Sequence, residues 1–248
     1  MKVLLTILIS GAALLAQTPA AKTGAAPKTG AAKSAAPNPL LNPASLTRRA
    51  PDLYRVKFAT TAGDFTVEVH RDWAPLGADR FYNLVRSRFF NGETFFRVVP
   101  NFIVQWGLNG DPAVNHAWET ASFKDDPVKQ HNTRGTVVFA TAGPNTRTTQ
   151  FFVNLRDNTG SLDPQGFAPF GTVTEGMETV DKIFPGYGER PKQNADRPGD
   201  KDNITDGGDA YLKKSFPNLT RITSTTVVFP EAPAPAAKKA APAPPKKQ

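Results

Sequence analysis

Arg97 and Gln105 interrupt a run that otherwise reads as two core strands. The stretch FFRVVPNFIVQWG, Phe95 to Gly107, is dominated by aromatic and β-branched residues, as suits a hairpin packed on a core. A guanidinium and a carboxamide in such strands carry one of two meanings. Taken alone, a buried arginine in a β-domain is more often a scaffold charge held by an acid, yet the neighbouring strands offer Arg97 no acid. The other meaning is a pair of hydrogen-bonding groups set on an apolar surface, the usual anatomy of a ligand groove.

Counting residues shows that the polar groups share a face. With Pro100-Asn101-Phe102 as the turn, Val99 lies opposite Ile103, and two residues further out Arg97 lies opposite Gln105. In TQFFVNL, Thr149 to Leu155, alternation sends Gln150 and Phe152 to one side and Phe151 and Val153 to the other. One face of the sheet therefore presents Arg97, Gln105, Gln150 and Phe152. Each phenylalanine by itself is core by default, and only the combined face makes a pocket.

Other chemistries fail on residue types. Cysteine is absent, which removes thiolate nucleophiles, disulfides, Cys-based zinc sites and a lipid-modified N-terminus. His70, His116 and His131 are scattered singly, with no two at metal-ligand spacing. The segment DKDNITDGGDAY resembles a calcium loop at Asp200 and Asp202. Ile204, Thr205 and Tyr211, however, stand where an acid or amide, a glycine and a glutamate are needed, so it reads as an acidic turn. AGPNT lacks the Lys-Ser/Thr ending of a phosphate loop. No metal and no cofactor is expected.

The elements that must position these residues are mainly strands. LYRVKFATT and GDFTVEVH alternate around Thr61-Ala62-Gly63, a hairpin. Ala78, Phe81, Leu84 and Val85 then recur at helical spacing. After the Arg97 hairpin and a long polar stretch with no clear period come the strands GTVVFAT, TQFFVNL and FGTVTEG. A helix from about Met177 to Ile183, a Pro/Gly/Asp-rich loop, a short helix near Ala210 to Phe216 and a last strand RITSTTVVF complete the chain. Six to eight strands with two or three helices predict a closed antiparallel β-barrel with helices over its ends.

The ends differ from this middle. Met1 to Ala16 has a basic residue at position 2, a short apolar run and small residues suited to cleavage after Ala16 or Ala20, the pattern of a secretory signal peptide over 1–20. Residues 21–50 and 230–248 are Ala/Pro/Lys-rich and read as a disordered linker and tail. Residues 1–50 carry six Lys/Arg and no acid, and 230–248 carry four Lys and one Glu, which leaves 51–229 at a net charge of −1. The basic isoelectric point thus belongs to the ends, and the folded part has no footprint for nucleic acid.

Three segments in order, FFRVVPNFIVQWG, ATAGPNTRTTQFFVNL and SLDPQGFAPFGTVTEGMETVD, make the chain from about Leu53 to Asp181 resemble the cyclophilin-type peptidyl-prolyl cis-trans isomerases. The resemblance implies a mainly β fold, a closed eight-stranded antiparallel barrel capped by two helices. It places Arg97 at the catalytic arginine and Gln105 beside it in the catalytic machinery. Phe102, Ile103, Ala140, Thr141, Gln150, Phe152, Leu162 and Phe167 match positions that line the proline pocket or bind the neighbouring peptide. Four positions depart: Ile103 stands for methionine, Thr141 for asparagine, Ser161 for a large aromatic, and Phe167 for histidine or tyrosine. Ile103 and Phe167 keep the wall apolar, whereas Ser161 opens the rim and argues against strong binding of the family's cyclic-peptide inhibitor.

The implied activity is acceleration of X-Pro isomerisation during the folding of exported proteins, by a periplasmic or secreted monomer. Proline-containing segments of unfolded or partly folded proteins are its expected partners, without nucleic acid and without stable membrane insertion after leader cleavage. A binding module or holdase using the same groove without catalysis is the alternative, and Arg97 separates the two because a pure binder does not need it.

Overall fold

In the computed structural model the described residues are 38–189, 191 and 203–229. Eight strands form one sheet: β1 Leu53–Thr60, β2 Gly63–His70, β3 Arg97–Val99, β4 Ile103–Trp106, β5 Thr136–Phe139, β6 Phe151–Asn154, β7 Pro169–Glu175 and β8 Ile222–Val228. Every pairing is antiparallel, in the order β3-β4-β6-β5-β7-β2-β1-β8. The strands bury alternate residues, Tyr54, Val56 and Phe58 on β1 facing Phe65, Val67 and Val69 on β2, as period-2 patterning requires. The first hairpin is tighter than its expected three-residue turn, because Gly63 already pairs with Thr60.

A closed barrel is a narrower statement than the ladder supports, since β3 and β8 are the two ends of the sheet. The segments leading into them do meet. Phe95 N–H donates to Thr220 O at 3.1 Å, Ile222 N–H to Glu93 O at 2.8 Å and Gly92 N–H to Ile222 O at 2.8 Å.

Among the described residues there are five α-helices, against the two or three expected: α1 Pro75–Arg86, α2 Pro112–Glu119, α3 Thr159–Leu162, α4 Met177–Asp181 and α5 Ile204–Ser215. Ala78, Phe81, Leu84 and Val85 of α1 are buried, as their spacing predicts. Its own N-cap position, Ala74, has no capping side chain. Asp126 serves instead, accepting from Leu76 N–H at 3.1 Å and Gly77 N–H at 2.8 Å. The irregular polar stretch contains α2, capped by Asp111 with Pro112 in the first turn. From Ile204 on, the expected acidic turn is helix. Asn203 Oδ1 accepts from Asp206 N–H at 2.8 Å and starts α5, while Asp200 and Asp202 lie outside the described residues.

The core is a continuous aromatic cluster centred on Trp106 and Phe151, whose rings are 4.3 Å apart, with Phe58, Phe81, Phe90, Phe139 and Phe170 around them. A second, smaller cluster gathers Phe96, Ile204, Tyr211, Leu212, Phe216 and Leu219 beneath α5.

The expected domain boundary at residue 51 is corrected. Residues 38–50 make two proline-led 3-10 turns, Pro39–Leu41 and Pro43–Ser45. Leu40 is buried in the main core, and Asn83 holds Arg48 through both its N–H and its carbonyl. The Ala/Pro-rich composition hides Leu40 and Leu46, the apolar side chains that dock this segment. The expected leader at 1–20, the linker over 21–37 and the tail at 230–248 lie outside the described residues.

Candidate functional site

β3 and β4 pair as counted, Val99 opposite Ile103 and Arg97 opposite Gln105, across a turn in which Asn101 takes a positive φ of 57°. β4 then pairs with β6, placing Gln105 opposite Phe152. A row of hydrogen bonds crosses these strands. Arg97 Nη1 donates to Gln105 Oε1 at 3.0 Å, and Gln105 Nε2 donates to Gln150 Oε1 at 3.0 Å. Gln105 is fully buried, so its carboxamide is fixed at both ends and orients the guanidinium. Gln150 is set by its neighbours. Its carbonyl accepts from Ala140 N–H at 2.9 Å. Gly107 at φ 110° lies so close that a Cβ there would meet Thr149 O at 2.3 Å.

Beside this row lies an apolar patch of Ile103, Val138, Phe152 and Leu162, with Phe102, Ala140 and Phe167 partly buried against it. Phe152 and Phe167 meet edge to face, ring centres 5.7 Å apart. The strands with their flanking turns, α3 and the loop after it thus bring together nine of the ten residues singled out from sequence. Thr141 belongs to the adjoining loop, where its hydroxyl hydrogen-bonds Thr146 Oγ1 at 3.0 Å and Gly143 O. It borders a cavity of about 350 Å³ with Phe167, Pro144 and Arg147. Another cavity, of about 300 Å³, is lined by Gln150 and Trp118.

Val138 and three buried asparagines escaped the sequence reading. Val138 pairs with Phe152 and forms the pocket floor. Asn158 Nδ2 donates to Asn154 Oδ1 at 2.8 Å and to Phe102 O at 3.1 Å, and Leu155 N–H donates to the same carbonyl at 2.9 Å. Asn132 Nδ2 holds Phe167 O at 2.8 Å and Asp163 Oδ1 at 2.7 Å. Burial pushes the Asp163 carboxyl up, but its hydrogen bonds to Asn132 and His131 outweigh that and hold it below the usual range. Asn132, Asn154 and Asn158 therefore fix Phe102 and Phe167 through their backbones. The asparagines lie 22 and 4 residues apart in the chain, a spacing with no period to reveal them.

The neighbouring strands offer Arg97 no acid, as expected, but an acid reaches it from elsewhere in the chain. Glu189, from the segment after α4, accepts from Arg97 Nε at 2.7 Å and pairs with Nη2. It is not on a neighbouring strand, and nothing in local alternation announces it. The histidines find separate acids: His70 pairs with Glu68, His131 with Asp163, and His116 with Glu119 and Asp206. Among the described residues no group of three His, Asp or Glu side chains is arranged to hold a metal ion.

The arrangement is an apolar pocket edged by hydrogen-bonding groups and one oriented guanidinium. It can hold a compact apolar ring and direct N–H donors at its edge, which is electrostatic rather than nucleophilic chemistry. Comparison with known proteins agrees. The family model described as cyclophilin type peptidyl-prolyl cis-trans isomerase/CLD matches residues 55–208. A peptidyl-prolyl cis-trans isomerase of Acinetobacter baylyi is 37% identical over 133 residues, 52% of this chain and 70% of that protein. Peptidyl-prolyl cis-trans isomerase B of Escherichia coli is 34% identical over 136 residues, 52% of this chain and 82% of that protein. The crystal structure of a cyclophilin type isomerase of Cryptosporidium parvum superposes with a TM-score of 0.50 at 21% identity, covering 72% of this chain and 99% of that one, a likeness of fold.

Proposed function

This chain belongs to the cyclophilin-type peptidyl-prolyl cis-trans isomerases, and we propose that Arg97 is the group that lowers its barrier, acting on exported proteins. The X-Pro bond resists rotation by about 18–20 kcal/mol because of amide resonance. As the amide twists, the prolyl nitrogen recovers a lone pair that both planar ground states lack. An N–H of Arg97 aimed at that nitrogen stabilises the twisted state selectively. Phe102, Ile103, Phe152, Leu162 and Phe167 close on the pyrrolidine ring, Gln105 holds Arg97 in direction, and Gln150, Thr141 and the Ala140 backbone take the flanking peptide. No bond is cleaved and no proton moves.

The observation that carries this assignment is the hydrogen-bonded row Arg97–Gln105–Gln150 along the edge of the apolar patch. The hydrogen bonds between Gly92–Phe95 and Thr220–Ile222 support closure of the sheet into a barrel that keeps the row rigid. The leader-like segment 1–20 supports a periplasmic or secreted address, and the proposed partners of the monomer are proline-containing segments of unfolded chains. The test is the cis-to-trans rate of a short X-Pro peptide with the full chain and with Arg97→Ala, both verified as folded by circular dichroism. Acceleration that collapses in the variant supports the assignment. Binding of the peptide without acceleration by the wild type overturns it in favour of a binding module. The address is tested by fractionating cells and sequencing the N-terminus of the recovered protein, where an uncleaved cytoplasmic form counts against export.

A further inference from the structure

Beside the apolar patch, Arg97 and Glu189 form a charged pair. The two are not equally exposed. The Arg97 side chain is 19% exposed and that of Glu189 is 45%, so the pair turns its negative member outward. Both recorded contacts of the carboxylate use Oε1, from Arg97 Nε and Nη2. Among the described residues Oε2 accepts no hydrogen bond, and the side chain that carries it is 45% exposed.

Glu189 is held in place rather than hanging over the site. Val98 N–H donates to Gly188 O at 3.2 Å, which adds this segment to the free edge of β3. Gly188 closes a turn onto Pro185 O at 2.9 Å and has a φ of 57°, open to glycine without cost. One residue earlier, the Tyr187 ring packs between Phe184 at 5.2 Å and Phe216 at 5.0 Å. The cluster beneath α5 therefore anchors the segment that delivers Glu189 to Arg97.

We propose that Glu189 is a specificity-determining residue, making the isomerase favour X-Pro bonds in which X, or a residue beside it, is cationic, and disfavour acidic ones. The inference rests on Arg97 addressing the prolyl nitrogen. The Cα of X lies two bonds from that nitrogen, about 2.5 Å away, so the side chain of X begins within a few ångströms of the Arg97–Glu189 pair. A lysine or arginine there meets the free Oε2, whereas a glutamate meets a like charge. With Glu189 neutralised, the same edge presents only the guanidinium, and the preference turns toward acidic X. Across a partly solvated distance of several ångströms, one unit charge changes the Lys/Glu selectivity by about 3- to 10-fold, and salt shrinks the difference.

The experiment measures kcat/KM of the full chain and of Glu189→Gln on peptides identical except for X = Lys, Ala or Glu, at low and at high salt. The expected result is a wild-type order Lys over Ala over Glu, a Lys/Glu ratio that falls about 3- to 10-fold in the variant, and a smaller difference at high salt. An unchanged ratio with the X = Ala peptide still accelerated overturns the selectivity assignment and leaves the isomerase site standing. A uniform loss on all three peptides also overturns it, because it makes Glu189 a support for Arg97 alone. Failure of the wild type to accelerate any peptide overturns the placement of Arg97 at the prolyl nitrogen, and the selectivity with it.

Discussion

Gln105 accepts from Arg97 Nη1 at 3.0 Å and passes the constraint on to Gln150, so the direction of the guanidinium is set from inside the sheet. Losing a donor that works only in the transition state costs about 2.7–4 kcal/mol where such groups have been removed. Arg97→Ala is therefore expected to lower kcat/KM by about 10²- to 10³-fold, with peptide binding retained. Gln105→Ala removes an orienting hydrogen bond to a charged group, worth about 1.5–3 kcal/mol, and is expected to lower kcat more than it raises KM. Steady-state kinetics on one X-Pro peptide at saturating and subsaturating concentrations separate the two effects.

The asparagine network predicts a variant that damages the pocket from behind. Asn132→Ala leaves Phe167 O without its Asn132 partner and removes one donor from Asp163 and an acceptor from Asn154. Each abandoned buried polar group costs about 1–3 kcal/mol. The expected outcome is a lower melting temperature together with a raised KM, since Phe167 loses its anchor. Calorimetry and kinetics on the same preparation check both, and a shifted melting temperature with KM unchanged would show that Phe167 is held by its ring contacts alone.

Glu93 is fully buried between β3 and the segment leading to β8, and neither of its carboxylate oxygens has a hydrogen bond of good geometry among the described residues. Burial drives its pKa well above the usual carboxylate range. The Gly107 amide opposes that shift, and the negative charge of Asp209 adds to it. The folded state thus holds a proton that the unfolded state gives up near pH 4.3. Its contribution is fully present below that pH and is lost as pH rises toward the folded-state value. Glu93→Gln is expected to melt higher than wild type at pH 8 and much closer to it at pH 4. Melting curves across pH 4–9 decide the matter, and parallel curves for the two proteins would falsify a protonated Glu93.

Trp118 Nε1 donates to Leu40 O at 2.9 Å, so the polypeptide before β1 is part of the fold. A chain truncated to begin at Pro51 exposes the surface that covers Leu40 and leaves a buried indole N–H unpaired. Together these cost about 2–4 kcal/mol, or a fall in melting temperature of roughly 5–15 °C for a domain of this size. A chain beginning at Asn38 is expected to melt like the full-length protein, and equal melting of both truncations would show the segment to be dispensable.

The sequence by itself determined the strands, their faces and the pairing of Arg97 with Gln105. Alternation has a period of two, and a short turn leaves one register that keeps both strands' apolar sides together. The same local rule placed Gln150 and Phe152 beside them, and the order of three motifs was enough to point to the family. What only the tertiary structure decided came from contacts with no period. Glu189 reaches Arg97 from 92 residues away, Asp126 caps α1 from 49 residues beyond Gly77, and Leu40 docks on Trp118 across 78. The asparagines behind the pocket and the helix hidden in the acidic stretch belong with these. A hydrogen bond between distant loops depends on where the whole sheet brings their backbones, and that placement leaves no local pattern in the residues themselves.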